Sequence, residues 1–225
     1  MTQTQNSSPT LSHPADPEAP QGVLELVLFR TKEGIDRASF ERHAEASQQG
    51  IADLPGFESR QLWQSPEGTW LDLVRWKDLQ SARKAAEIVM TLECCQAFFA
   101  GIDPESIQML HFSGKRQWPA PQPASWADFQ GLEFGTFRLQ AGVDEAQLLA
   151  ASQQAVDQVL RHQKGFLAHF LLKGKEQEYV DMALADSQTA AETICGLWGQ
   201  FPETRKLMDL VQKGSEKLSF YQRIQ

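Results

Sequence analysis

The stretch "LELVLFRTKEGID", residues 24–36, returns in altered form as "LEFGTFRLQAGVD", residues 132–144. Both copies read as an apolar strand that ends in a Gly-Ile-Asp or Gly-Val-Asp turn. Their spacing is 108 residues, and a second pair of similar segments, "GFESRQLW" at 56–63 and "GFLAHFLL" at 165–172, is spaced by 109 residues. Two separate pairs of similar segments with nearly the same spacing predict a tandem duplication.

Both copies predict the same order of elements: strand, helix, hairpin of two strands, second helical region and final strand. Asp36 and Asp144 stand where each first helix begins and are suited to N-capping. The order βαββαβ is that of a ferredoxin-like unit, so we predict an α+β protein built from two tandem ferredoxin-like repeats. The predicted boundaries are a disordered leader at 1–21, repeat one at 22–113, a Pro-rich linker at 114–130 and repeat two at 131–225.

Composition excludes several classes of function. The 225 residues carry a formal net charge of −8 and no cluster of basic and aromatic residues, which argues against nucleic-acid binding. No apolar run approaches the roughly 18–20 residues that span a bilayer, and the first residues lack the basic and apolar regions of a secretory signal. Cys94, Cys95 and Cys195 have neither disulfide nor metal-site spacing. We therefore expect a cytoplasmic protein with reduced core thiols and no membrane partner.

The stretch "LPGFESRQLWQSPEGTWLDLVRWKDLQSARKAAEIV", residues 54–89, resembles the dimeric α/β-barrel superfamily near the antibiotic-biosynthesis-monooxygenase-like (ABM-like) proteins. The resemblance is carried by the Gly-Phe that opens the second strand, the tryptophan that ends the third and the Ala-rich helix after it. Members of this superfamily pair two identical units sheet to sheet. The resemblance therefore implies an intrachain dimeric α/β-barrel, in which one chain supplies both units and buries both sheet faces.

The resemblance also bears on cofactors. Haem-degrading relatives use a histidine on the second helix, and the second helical regions at 79–100 and 188–211 contain none. Other relatives have a functional histidine late in the first helix, and this chain has Ser47 at that place. The histidines of this chain also lack metal-ligand spacing such as HxxxH. We expect no cofactor and no metal, as in the quinone-forming monooxygenases of the superfamily, which need an aromatic pocket, a base and room for oxygen.

An aspartate interrupts the third strand of each repeat: Asp72 in "GTWLDLVRW" and Asp181 in "EQEYVDMALAD". Strand alternation puts Trp70, Trp76 and Asp72 on one face, and Tyr179 and Asp181 on the matching face of repeat two. Each aspartate is a candidate general base, or else a structural carboxylate held by a nearby arginine, indole or backbone amide. Repeat two has two alanines where repeat one has valine and tryptophan, so we expect any cavity to be larger there.

Three histidines lie in the predicted elements: His43 in a helix, and His111 and His169 in strands. A lone histidine is more often a satisfied core or surface group than a functional one. We nevertheless retain these three, with Trp70, Trp76 and Tyr179, as candidate substrate-binding residues.

Three classes of function fit this pattern. The first is a cofactor-independent monooxygenase or isomerase that acts on a small aromatic or polyketide-like substrate. The second is a non-catalytic protein that binds a small hydrophobic ligand, and the third is a structural or stress-associated protein without a pocket. Because the duplication would already supply the usual dimer partner, we expect a monomer with an internal pseudo-dimer.

Overall fold

The computed structural model describes residues 22–119, 128–174 and 178–224. The expected leader and the linker residues 120–127 lie outside these ranges. The eight strands and six helices of the described ranges are β1 Val23–Phe29, α1 Arg37–Ala52, β2 Phe57–Gln64, β3 Trp70–Trp76, α2 Leu79–Val89, α3 Glu93–Ala100, β4 Gln108–Pro119, β5 Gly131–Arg138, α4 Glu145–Gln158, β6 Phe166–Lys173, β7 Glu178–Ala185, α5 Gln188–Cys195, α6 Pro202–Met208 and β8 Lys217–Arg223. The structure is therefore of mixed α+β class, as predicted.

The strands form one closed antiparallel barrel in the order β1-β3-β2-β8-β5-β7-β6-β4. Within the first half of the chain the order is β4-β1-β3-β2, and within the second half it is β8-β5-β7-β6. These two orders correspond strand for strand, and each is that of a ferredoxin-like sheet. Two seams join the halves, one between β2 and β8 and one between β4 and β6.

The seam between β4 and β6 differs from the sequence expectation. The sequence predicts a linker from residue 114 onward, but residues 114–119 continue β4 and pair with 168–172 of β6. The strand continues because an eight-stranded barrel without this seam would leave two edges with unpaired backbone groups. The β2–β8 seam is shorter, with two register pairs and a hydrogen bond from the Ile224 amide to the Leu62 carbonyl, at 2.8 Å.

The helices begin where the sequence predicts and are divided where it does not. The Asp36 carboxylate accepts a hydrogen bond from the Ser39 amide, and Asp144 forms a capping box with Gln147, which confirms both predicted N-caps. Each second helical region is two short helices instead of one. In the second half the division precedes Pro202, which stands in the first turn of α6, where a missing backbone N–H costs little.

The core has an inner and an outer part. The barrel interior is filled by large side chains from both halves, among them Leu26, Trp63, Phe134, Phe170 and Met182. Separate apolar clusters lie between the outer sheet surface and the helices of each half. Burial of such a side chain contributes roughly 1.5–3 kcal/mol. The interior cluster contains side chains of both halves, so each half is needed to bury the apolar side chains of the other.

The three cysteines are free thiols, as expected, but they are not all in the core. Cys95 is buried, Cys195 is half-buried and Cys94 is exposed. Among the described residues, no helix combines the length and the apolar character that crossing a bilayer requires.

Two glycines of β5 give a test of the packing between this strand and the start of α5. A Cβ atom on Gly131 would collide with the backbone carbonyl of Ser187, whereas one on Gly135 would lie 3.7 Å from the nearest atom, an ordinary contact. We expect Gly131→Ala to lower the free energy of unfolding by about 1–3 kcal/mol. Gly135→Ala should leave it unchanged or raise it by up to about 1 kcal/mol.

Urea unfolding of the two variants beside the unchanged chain measures this difference. Equal stability of the two variants would show that β5 and the start of α5 are not packed as described.

Candidate active site

Two cavities lie at corresponding places in the two halves, between the outer surface of the sheet and the short helices. Both have a glutamate from the first strand and an aspartate from the third strand of their half in the wall. In the first half these residues are Glu25 and Asp72, and in the second half they are Glu133 and Asp181. In each half the two carboxylates come from paired strands and face the helices, so they meet the same enclosed space.

The first cavity has a volume of about 300 Å³. Apart from the two carboxylates, apolar side chains dominate its wall, and they come from β1, β3, α2, α3 and the start of β4. The apolar wall includes Val27, Phe29, Val74, Trp76, Ala86, Val89, Phe98, Phe99, Ile107 and Met109. Ile107 and Met109 are also exposed to solvent, so the cavity opens past them to the surface.

Glu25 links the first cavity to solvent through a histidine. The Glu25 residue is 8% exposed, and its Oε2 atom lies 2.7 Å from Nε2 of His111 on the neighbouring strand β4. The His111 side chain is 27% exposed. A carboxylate and an imidazole at this distance can share or pass a proton, so this pair connects the cavity wall to water.

Asp72 is fixed by an arginine. Arg60 Nε lies 2.9 Å from Oδ1 of Asp72, and Arg60 Nη2 lies 2.7 Å from Oδ2, so both carboxylate oxygens are engaged. The same guanidinium donates to Ser47 Oγ at 2.9 Å and lies over the Phe98 ring. Such a buried bidentate pair has little freedom to accept a substrate proton. This geometry favours the structural interpretation of Asp72.

The second cavity has a volume of about 160 Å³, so the expectation that it would be the larger is wrong. The two strand alanines lie in the packed core of the second half instead of the cavity wall. Larger side chains of α5 and of the turn after it also fill the space that is open in the first half. From the N-caps Asp78 and Ser187 onward, Ala85, Ala86 and Val89 of the first half correspond to Ile194, Cys195 and Trp198.

Asp181 has a different partner from Asp72. Its Oδ2 lies 2.9 Å from Nε2 of His169, and the His169 residue is fully buried. His169 stands 12 residues before Asp181, as Arg60 stands 12 residues before Asp72. The two pairs therefore occupy the same places on the β6–β7 and β2–β3 hairpins. A histidine ring nitrogen can donate or accept a hydrogen bond, whereas an arginine guanidinium is permanently charged and only donates, so only the first pair is a fixed ion pair.

Glu133 is the most perturbed carboxyl group of the second cavity. It is 3% exposed, and its Oε1 accepts a hydrogen bond from Trp198 Nε1 at 2.9 Å. Burial raises the pKa of Glu133 to about 8, and the nearby charge of Asp181 adds to this effect. Burial, together with the charge of Glu133, also raises the pKa of the Cys195 thiol. Both groups are therefore uncharged near neutral pH.

The remaining predicted site residues divide between wall, core and surface. Trp76 lines the first cavity, and its Nε1 has no hydrogen-bond partner within the described ranges. Trp70 packs on Phe29 and Phe40 in the core, and Tyr179 stacks on Phe137. His43 is exposed on α1. The structure thus places Trp76 and the two aspartates in the cavity walls. His111 and His169 contact carboxylates of those walls, and His43 lies elsewhere.

The two glutamates are site residues that the sequence reasoning misses. A signal was present, because Glu25 and Glu133 occupy the same position of the recurring strand, "LELVLF" and "LEFGTF". Each interrupts an apolar run in the way that the aspartates do. A buried charged residue that recurs at matching places points to a paired or titrating group.

Other depressions are a poorer match to an aromatic ligand. The most voluminous of those described, about 790 Å³, is an open groove along α1 whose lining includes Glu41, Arg42, Glu45 and Gln49. Its charged and amide side chains are suited to water more than to an apolar ring. Within residues 22–119, 128–174 and 178–224, no group of three His, Cys, Asp or Glu side chains is arranged to hold a metal ion.

No family model matches the chain, and no curated protein sequence matches it either. Solved structures do. An anthrone oxidase-like protein matches with a TM-score of 0.66 over 91% of this chain and 92% of its own, at 15% identity. A candidate monooxygenase from Fusobacterium nucleatum gives 0.65 over 91% and 93%, at 9% identity. A ferredoxin-fold protein from Listeria monocytogenes, related to antibiotic biosynthesis monooxygenases, gives 0.51 over 91% and 96%, at 12% identity.

These similarities extend over nearly the whole chain in both directions. At such identities they show a common fold, while the activities in the names belong to those proteins. The expected ferredoxin-like fold is therefore confirmed, and this chain shares it over nearly its whole length with proteins that are named as monooxygenases or as related to them.

Because Asp72 and Asp181 have different partners, replacing each with asparagine should lower the free energy of unfolding by different amounts. Asp72→Asn leaves the permanently charged Arg60 without a counter-charge, and we expect it to lower the free energy of unfolding by about 3–5 kcal/mol. Asp181→Asn should cost only about 1 kcal/mol, because a neutral His169 can still hydrogen bond to the amide. Chemical denaturation at neutral pH measures both. Similar losses in the two variants would contradict the assigned difference between the pairs.

The raised pKa of Glu133 predicts a dependence of stability on pH. Between its ordinary value of 4.5 and about 8, the unfolded chain has this carboxyl ionised and the folded chain has it protonated. Folding then takes up a proton, so this contribution to stability falls as pH rises through that window. In Glu133→Gln it is absent.

The measurement is urea unfolding of Glu133→Gln and the unchanged chain at a series of pH values from about 5 to 9. The stability of the variant relative to the unchanged chain should rise by up to about 1.4 kcal/mol per pH unit until about pH 8, and then level off. A constant difference between about pH 5 and 8 would show that Glu133 is ionised in the folded protein.

Proposed function

We propose that the chain oxidises a small fused-ring phenol or anthrone-type ketone with dioxygen in the first cavity, without a bound cofactor. The observation that carries this proposal is the apolar cavity of about 300 Å³ with the Glu25–His111 pair in its wall. The volume is at the lower end of the range for small-molecule sites, roughly 300–1,000 Å³. It is about twice that of a cavity that holds benzene, so two or three fused rings are the expected size.

Glu25 is the base of the proposed reaction. It accepts a proton from the hydroxyl of a phenol, or from the ring CH₂ opposite the ketone of an anthrone, and leaves the substrate as an electron-rich anion. His111 bonds to the same carboxylate and is partly exposed, so it passes the proton on to water. This assignment moves the base from the aspartates to the first strand, because Arg60 engages both oxygens of Asp72.

Trp76 supplies a hydrogen-bond donor in the same wall. Its Nε1 is buried and has no acceptor among the described residues, and an unmet buried donor costs about 1–3 kcal/mol. A substrate oxygen at this wall would accept that hydrogen bond. The interaction strengthens as negative charge develops on the oxygen, so it favours the anion over the neutral substrate.

Dioxygen then acts as the oxidant of the anion. For an anthrone-type substrate the ring CH₂ becomes a carbonyl group: two C–H bonds and the O–O bond break, and a C=O bond forms. One oxygen atom enters the product and the other leaves as water. The substrate supplies both protons and all the electrons, so the balance needs no further reductant. The apolar wall keeps bulk water away from the anion.

We also infer that the two halves arose by tandem duplication and that the protein is a monomer with an internal pseudo-dimer. The corresponding strand orders, the matched N-caps and the matched Asp72 and Asp181 pairs support a duplication. The barrel interior is already filled by side chains of both halves, which supports the absence of a sheet-to-sheet dimer.

The test of the function is oxygen consumption with anthrone and with naphthols under air. We expect Glu25→Gln to lower kcat at least about 100-fold, the usual contribution of a positioned base, with little change in thermal unfolding. The matched control is Glu58→Gln, which alters a half-exposed carboxylate that pairs with Arg75 outside the cavity. Its kcat should equal that of the unchanged chain.

Two results would overturn the proposal. One is a failure of the unchanged chain to consume oxygen with any of these substrates, including the case in which it binds them without turnover. The other is full activity of the folded Glu25→Gln variant, which would exclude Glu25 as the base.

A further inference from the structure

The second cavity combines space, an acid and a base that the proposed oxidation does not use. It lies between β5, β7 and the start of β8 on one side and α5, α6 and the turns after them on the other, and its volume is about 160 Å³. A cavity of about 150 Å³ holds a molecule of benzene, so a single six-membered ring fits here. Gly135 gives part of this room, because the corresponding residue in the first half is Val27.

Glu133 offers a proton to this cavity. The carboxyl group is neutral near pH 7, and its Oε1 already accepts from the Trp198 indole. The acidic hydrogen therefore resides on Oε2, which is buried and has no hydrogen-bond partner within the described part of the chain. The Cys195 thiol beside it interacts with this carboxyl group, but its sulfur is only a weak donor and a weak acceptor. A ligand with a carbonyl oxygen would provide the missing acceptor.

Asp181 offers a base to the same cavity. It lines the cavity wall, and its Oδ2 bonds to Nε2 of the fully buried His169, which holds the carboxylate in place. Asp181 is opposite Gly135 in the β5–β7 register, and Glu133 is two residues away along β5 on the same face. Diagonal neighbours of this kind are within reach of one small ligand.

We propose that the second cavity is a separate site that binds a small monocyclic ketone or aldehyde and exchanges the proton on the carbon next to its carbonyl group. Asp181 takes that proton, and the electron pair of the broken C–H bond forms a C=C bond. The carbonyl oxygen takes the proton of Glu133 as the C=O bond becomes C–O–H. Solvent, which reaches the cavity past the exposed Met208 and Leu218, exchanges with the proton on Asp181. The reverse steps then return a solvent proton to carbon and restore both carboxyl groups, so no oxidant or reductant is consumed. This activity goes beyond the proposed oxidation and does not depend on it.

The experiment uses the full chain in D₂O with cyclohexanone as the probe, and proton NMR follows the loss of the signals next to the carbonyl group. We expect the unchanged chain to exchange these protons at least tenfold faster than buffer alone. Asp181→Asn should remove the acceleration, since an amide cannot take up the proton. Glu133→Gln should lower it at least tenfold, since an amide cannot transfer a proton to the carbonyl oxygen.

Gly135→Val tests the cavity without changing either carboxyl group. A Cβ atom has room at this position, and Val27 occupies the corresponding place in the first half, so the fold should persist while the cavity is filled. The variant should lose both cyclohexanone binding, measured by ligand-observed NMR, and exchange. Glu25→Gln should retain both, because Glu25 lines the other cavity. Oxidation of anthrone by Gly135→Val should be unchanged.

Three results would overturn the proposal. The first is exchange by the unchanged chain no faster than in buffer, and binding without exchange is such a result. The second is exchange that survives in a folded Gly135→Val variant, which would place it elsewhere. The third is a parallel loss in Glu25→Gln, which would assign it to the first cavity. None of these results bears on whether the first cavity oxidises anthrones.

Discussion

The burial of four carboxyl groups between the sheet and the helices is the constraint on which both cavities depend. An ionised carboxylate removed from water costs several kcal/mol unless a partner compensates it. Because the strands pair all the way around the barrel, no sheet edge of the described strands offers unpaired backbone N–H groups to these carboxyl groups. Each must therefore be compensated by a nearby side chain. The four groups and their partners are Glu25 with His111, Asp72 with Arg60, Glu133 with Trp198, and Asp181 with His169.

The partner decides what each carboxyl group can do. Arg60 stays charged and holds both oxygens of Asp72, so that group is a structural anion. Histidine carries no permanent charge and its ring nitrogens can donate or accept a hydrogen bond, so the two carboxylates paired with histidine are the ones to which the proposals above assign proton transfer. Trp198 donates one hydrogen bond and brings no charge, and burial then keeps Glu133 protonated by raising its pKa. The same backbone frame thus supports an arginine ion pair, two carboxylate–histidine pairs and a neutral acid.

Much of the fold could be predicted from the sequence because its signals are local and recur. The helix starts at Asp36 and Asp144 follow from the chemistry of N-capping, and the faces of β3 and β7 follow from alternation. The extent of β4 could not be predicted in this way. Residues 114–119 form a strand because β6 is there to pair with them, which is a tertiary effect that the Pro-rich composition nearby conceals.

The candidate site was less predictable, because cavities depend on side chains that are distant in sequence. The aspartates are found from a single strand, but whether Asp72 is a base depends on Arg60, which reaches it across the hairpin. Likewise, the strands alone do not decide the relative size of the cavities. The residues that decide it are in the helical region that follows the third strand of each half, where Cys195 of α5 and Trp198 of the turn after it stand in place of Ala86 and Val89.

The two cavities differ in position as well as in size, because the small residues that leave space lie on a helix in the first half and on a strand in the second. In the first half the helix provides the space, through Ala85 and Ala86, and Val27 covers the strand floor. In the second half the helix is filled and Gly135 opens the floor beside Asp181. Under the two proposals, a ligand of the first cavity lies near the helix and within reach of Glu25, and a ligand of the second lies near the strand floor between Glu133 and Asp181. Differences in side-chain volume are then enough to separate the two sites.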